Sequence, residues 1–158
     1  MDWFWELLSN RYLITGVSSW FFAQVIKTVI YAIINKKWVW ERMVGDGGMP
    51  SCHSATVSSL ALICALTHGF QSFEFAVTAL LAVIVCHDAM GVRLETGKQA
   101  VLINELIKAF EDLYKNQDIL PEVKLKEFVG HTPIQVIAGI MIGLLNACVM
   151  HFWVFPLL

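Results

Sequence analysis

Four apolar runs, at about 12–35, 51–69, 73–90 and 132–155, constrain what this chain can become. At about 1.5 Å rise per residue, each is long enough as a helix to approach the roughly 30 Å of a bilayer's hydrocarbon core. In lipid a segment must satisfy its own backbone hydrogen bonds, and a helix does so. Composition agrees. Of 158 residues, 57% are hydrophobic and 15% charged, and the mean hydropathy is +0.63; soluble domains carry about 25% charged residues. The sequence predicts an all-α integral membrane bundle of about four spanning helices, in a single domain over 1–158. The net charge of −2 gives no basic field and argues against a nucleic-acid partner. Cys52, Cys64, Cys86 and Cys148 form no CxxC pair, which argues against a disulfide framework.

The polar stretches have patterns of their own. Residues 2–9, with Trp3 and Trp5, suit the headgroup level. Between 98 and 115, Val101, Leu102, Leu106, Ile107, Phe110, Leu113 and Tyr114 recur at helical spacing with charges opposite. That predicts an amphipathic helix, lying on the membrane or packed across the other helices. Asn116 and Pro121 bound a linker, and a short helical piece is expected over 122–129. Thr132 and Pro133 suit the cap and first turn of the last span. Gly139-x-x-x-Gly143, with Ala147 in step, allows close helix approach. Packing inside one protein is the expected use of that pair, and a homo-oligomer is compatible with the sequence without a clear seam for it.

Four spans put the 36–50 and 92–130 segments on one side of the membrane and both termini on the other. The first side holds Lys36, Lys37, Arg42, Arg93, Lys98, Lys108, Lys115, Lys124 and Lys126; the other holds Arg11. The positive-inside rule then places both polar segments in the cytoplasm and both termini outside.

That orientation gathers the unusual polar residues near one leaflet. Gly47-Gly48-Met49-Pro50-Ser51-Cys52-His53-Ser54-Ala55 joins a glycine-bearing loop to a helix start, where unpaired N–H groups favour an anion. His53 falls in that first turn. His131 starts the last span, and Asp88 and Arg93 end the third. Lys27 lies inside the first span, three residues after Gln24 on the same face. A lysine there marks a site or snorkels toward Lys36 and Lys37, and the sequence leaves both readings open. Two histidines at two helix starts can bracket a phosphate. One attacks phosphorus and the other protonates the leaving alkoxide. Lys27, Arg93 and Lys98 can supply charge, and backbone N–H groups near Ser51 can supply donors. Asp88 or Gln135 can fix the nucleophile's tautomer. A helix start lowers the acid histidine's pKa while a bound dianion raises it; the dianion is expected to win.

The block from Gly47 to Ala55, then Asp88-Ala89-Met90-Gly91-Val92-Arg93 with Gly97-Lys98-Gln99-Ala100, then Gly130-His131-Thr132-Pro133 with Val136 and Ala138-Gly139, resembles the divergent membrane branch of the type 2 phosphatidic acid phosphatase and vanadium haloperoxidase superfamily. The three blocks come in the family order and cover most of 24–143. The resemblance implies a phosphatase acting on a lipid phosphate without metal or other cofactor. It makes His131 the nucleophile, His53 the acid, Ser51 and its neighbours the phosphate cradle, and Lys27 the lysine of the first signature. The chain departs from the parent pattern at four places. Ile34 and Asn35 stand where the parent has Arg-Pro, Cys52 where it has glycine, Leu125 where it has arginine and Gln135 where it has aspartate. Lys126 is one place from the missing arginine, and Arg93 is another source of charge.

Two other functions compete. Cys52-His53 and Cys86-His87 suggest a metal, but neighbours on one helix point about 100° apart and rarely share an ion. A non-enzymatic lipid or phosphate carrier, or an accessory subunit, would also use half-buried polar residues along a membrane path. The expected reaction is hydrolysis of a lipid phosphomonoester or pyrophosphate at the cytoplasmic leaflet. The sequence leaves phosphatidylglycerol phosphate, phosphatidic acid and polyprenyl pyrophosphate open.

Overall fold

Local signals in the sequence set the helix ends. The computed structural model describes residues 2–45, 47–113, 125 and 130–157. A short α1 spans Asp2–Leu8. Asn10 then caps α2, Arg11–Asn35, its side chain accepting from the Tyr12 and Leu13 amides. Helix α3, Cys52–His68, starts at Ser51, whose Oγ accepts from the Ser54 amide. Helix α4, Phe73–Met90, starts at Ser72, which accepts from the Phe75 amide. After Gly91 breaks the helical path, α5 runs Val92–Leu113. Helix α6 is Pro133–Val149, continued by a π turn over Met150–Val154. No strand occurs among the described residues.

Helix α3 packs against α2, α4 and α6 and forms the centre of the bundle. Small residues make this possible. Ser54, Ala55, Ser58, Ser59, Cys64 and Ala65 are all buried. A Cβ on Gly139 would collide with the Ser51 carbonyl, and one on Gly143 with the Ala55 carbonyl. The glycine pair therefore closes an intramolecular contact between α6 and α3. Between α6 and α2, Asn146 Nδ2 reaches Ser19 Oγ at 2.7 Å, Ser18 Oγ at 2.9 Å and the Thr15 carbonyl at 3.3 Å. In lipid such hydrogen bonds hold helices together where apolar contact alone gives no preference over the bilayer.

The outside is apolar: Phe21, Leu80, Ile84, Ile137 and Leu145 are exposed. Segments beginning at Arg11, Phe73 and Pro133 are long and apolar enough to cross a membrane. Helix α3, the fourth expected span, has 17 residues and is not among these three. Its length sets it apart: at about 1.5 Å per residue, 17 residues fall short of the roughly 30 Å core. The amphipathic segment begins at Val92, earlier than the periodicity from 98 suggests, and its Leu102, Leu106 and Phe110 are exposed. Tyr114 and the helical piece expected at 122–129 lie outside the described residues, apart from Leu125. That residue is tied to α5 by Asn104, which accepts from its amide at 3.0 Å and donates to its carbonyl at 2.9 Å.

Candidate functional site

The loop before α3 is drawn tightly into the bundle. Gly47 and Gly48 have φ of 79° and 85°, in the left-handed region that glycine enters without a Cβ penalty. Ser51 is fully buried. Its amide donates to the Gln135 carbonyl at 3.0 Å, and its Oγ accepts from Ser54 Oγ at 3.0 Å. The Ser51 N–H, among the backbone N–H groups near Ser51 that the sequence offers as donors, thus ties the loop to α6. Any cradle must use the amides that follow it in the first turn of α3.

Lys27 does not snorkel toward Lys36 and Lys37. It is 3% exposed, and its Nζ turns under the loop, 3.3 Å from Cys52 Sγ and 3.4 Å from the Gly45 carbonyl. Gly48 sits over its aliphatic stem: a Cβ there would lie 3.7 Å from Lys27 Cγ. The Cys52 thiol also hydrogen-bonds the His53 side chain. Cys52, where the superfamily signature has glycine, therefore fills the space between lysine and histidine.

His131 enters from the opposite side. Gly130, at φ 85°, crosses so close to the start of α5 that a Cβ would collide with the Leu94 amide. The His131 amide donates to the Ala89 carbonyl at 3.0 Å, and the residue is 5% exposed. Its Nδ1 lies 3.3 Å from Gln135 Oε1. That oxygen also accepts from the Thr132 amide at 3.1 Å, as part of a capping box. A backbone N–H can only donate, so this bond identifies the amide atom facing His131 as oxygen. An oxygen facing Nδ1 favours the neutral tautomer with its proton on Nδ1 and its lone pair on Nε2, while the Gly48 backbone is a second hydrogen-bond partner of the ring. Burial pushes the His131 pKa below the ordinary 6.5, and the positive charges of Lys27 and His53 push it the same way. Gln135 and the Gly48 backbone favour the cation and offset part of this.

The remaining expected residues lie elsewhere or beyond description. Asp88 does not orient His131; it pairs with Arg93 at 2.5 Å across the break at Gly91, and both side chains are well exposed. Lys98 pairs with Glu95 at 2.7 Å on the outer surface of α5. Lys126 lies outside the described residues. Among the described residues no three His, Cys, Asp or Glu side chains gather as a metal-ligand group. Cys86 packs with Ala89 and Val136, while Cys52 packs with Ala23 and Ala55.

Some groups that build the site escaped the sequence reading. The Ala89 carbonyl and the Gly48 backbone act through main-chain atoms, which no side-chain pattern signals. Gly130 carried a signal in principle, because a glycine directly before a histidine at a helix start suggests a positive φ.

The sequence profile of the Divergent PAP2 family matches residues 8–146. An uncharacterized membrane protein of Bacillus subtilis (strain 168), YuiD, is 41% identical over 155 residues, covering 94% of this chain and 98% of the relative. No solved structure matches the chain.

Proposed function

The chain belongs to the divergent PAP2 family, and from that premise we propose that it hydrolyses a lipid phosphate at the cytoplasmic leaflet through a phosphohistidine. His131 Nε2 attacks phosphorus, and the bond from phosphorus to the lipid oxygen breaks. His53 donates its proton to that oxygen. Water then attacks the phosphohistidine while His53 takes the water's proton, releasing phosphate and restoring both rings. Lys27 neutralises a non-bridging oxygen, with the first-turn amides of α3 as further donors. Gln135 positions His131. Arg93 and Lys98, being exposed, attract the anionic headgroup and need not touch the reacting atoms.

One observation carries the reading. Lys27 and His53 lie near enough to act electrostatically on a buried His131 whose attacking tautomer Gln135 favours. A neutral imidazole beside a buried cation suits attack on an anion.

The test uses purified protein with phosphatidic acid, phosphatidylglycerol phosphate and a polyprenyl pyrophosphate, in the presence of chelator. Wild type is expected to release phosphate and to retain acid-labile phosphate on His131. His131→Ala is expected to lose at least about 10³-fold in rate. Release that survives in His131→Ala rejects the mechanism. No release from any lipid favours the second reading, a lipid or phosphate carrier. One feature supports that alternative: Thr15, Ser19, Gln24 and Lys27 form a buried polar face along α2, and Gln24 Oε1 has no hydrogen-bond partner among the described residues.

A further inference from the structure

Between α3, α4 and α6 lies a cavity of about 380 Å³, and its lining is almost wholly apolar. Small side chains leave the space: Ala61 of α3 and Ala79 and Ala82 of α4 line it, together with Leu144 of α6. Cys86 lies at one end, and Phe75 and Phe70 at the other, their rings edge-to-face at 5.2 Å. From Phe75 to Cys86 is eleven residues, roughly 16 Å along the helix axis. The cavity is therefore a slot running along α4, and it opens beside the lipid-facing Val83.

Cys86 connects this slot to the histidine site. It packs with Ala89 and Val136 in one buried cluster. The Ala89 carbonyl accepts from the His131 amide, and Val136 follows Gln135 on α6. The slot thus ends about one helical turn from the backbone that holds His131, and from there it leads into the bilayer.

We infer that this slot receives one apolar chain of the phosphorylated lipid, with the headgroup at His131 and the tail lying between Ala61, Ala79 and Ala82. The occupant is the substrate's own chain, because the slot starts at the site's supporting wall and its one hydroxyl, that of Ser58, is already spent on the Ser54 carbonyl. Its volume lies near the lower end of the roughly 300–1,000 Å³ range of small-molecule sites, which suits one chain. A second chain lies outside, against α4. The inference rests on the proposed lipid phosphate substrate, and it makes chain identity a property the enzyme reads.

The experiment separates the slot from the chemistry. Purified wild type and His131→Ala are irradiated with a phosphatidic acid analogue carrying a diazirine midway along one acyl chain, and labelled peptides are mapped. Label is expected on residues 58–62 and 79–86 in both proteins. Ala79→Leu with Ala82→Leu is expected to lower it about tenfold, the loss that follows from turning about two methylenes out of an apolar site. Val83→Ala, which widens the mouth, is expected to keep or raise it, and Leu80→Phe on the outer face to leave it unchanged. The slot is rejected by label spread evenly over lipid-facing residues, by equal label from a phosphatidylcholine analogue, or by no change in the double variant. Should the double variant fail to fold, the Val83→Ala and Leu80→Phe pair still decides, because bulk lipid contact would respond to Leu80. Persistence of the label in His131→Ala, with no phosphate released by wild type, would leave the slot standing and reject the hydrolase.

Discussion

At the scale of single residues, Gln135 stands where the parent pattern has an aspartate, and in the proposed mechanism it positions His131 by a different route. Its oxygen is held by the Thr132 amide and in turn holds His131 Nδ1. Gln135→Leu is expected to lower kcat by about 10²-fold or more with little change in KM, as expected when a positioned histidine loses its tautomer partner. Because the His131 pKa is depressed, the ring loses its proton below pH 6.5. The proposed nucleophile is the neutral form and the proposed acid, His53, must be protonated, so kcat/KM should climb with pH along an acid limb lying below 6.5 to a plateau and fall along a basic limb where His53 loses the proton it donates. Lys27→Met removes one depressing charge, and Gln135→Glu adds a negative one. Both should move the acid limb to higher pH, and Lys27→Met should also lower the plateau. An acid limb that stays in place in both variants would mean that His131 is not the group titrating. Of these residues, the sequence marked His131, His53 and Lys27 by chemistry alone. It left both Asp88 and Gln135 as candidates to orient His131, Gln135 by its place four residues on and Asp88 because four spans bring the end of the third to the start of the fourth. The break at Gly91 decides between them by turning Asp88 toward Arg93.

At the scale of elements, the contact between α3 and α6 brings the two histidines within electrostatic range of each other. The Ser51 amide bonds the Gln135 carbonyl, and Gly139 and Gly143 bring the two backbones together below that bond. Gly143→Val forces a branched side chain into the Ala55 carbonyl and Ser58 Oγ. It should destabilise by about 1–3 kcal/mol, read as a lower thermal midpoint in detergent. Asn146→Leu removes the amide that links α6 to Ser18 and Ser19 of α2. A loss of about 1–2 kcal/mol is expected, since each side-chain hydrogen bond in a bilayer is worth roughly 0.6 kcal/mol and Ser19 is fully buried. An unchanged midpoint in Gly143→Val would show that the helices separate without strain. The helix ends were legible because capping residues and prolines act locally, as Ser51 and Thr132-Pro133 show. The central position of α3 was less so: 51–69 reads as one apolar run among four, and only the packing shows its serines and alanines covered by three neighbours.

At the scale of the whole molecule, the proposed chemistry needs the histidine end of the bundle to face the cytoplasm, where nine of eleven basic residues would lie. The structure fixes which exposed residues sit at which end. Val44, 77% exposed, belongs to the loop beneath which Lys27 is buried. Phe70, 67% exposed, belongs to the turn between α3 and α4 at the opposite end. Cys52 is 1% exposed and closed to reagents from either side. Introduced cysteines therefore report better: Val44→Cys and Phe70→Cys, with intact cells and a maleimide that cannot cross membranes. The inherited cysteines are buried or half-buried, so the background should be low. The Phe70→Cys protein should react in intact cells, and the Val44→Cys protein only after the membrane is opened. The reverse pattern would turn the site outward, against the positive-inside rule, and would exchange a substrate made at the cytoplasmic leaflet for one presented on the outer surface. Reaction of both in intact cells would mean that α3 does not complete a crossing. That outcome would follow from its 17 residues and would leave three spans, with the two ends of α3 on one side.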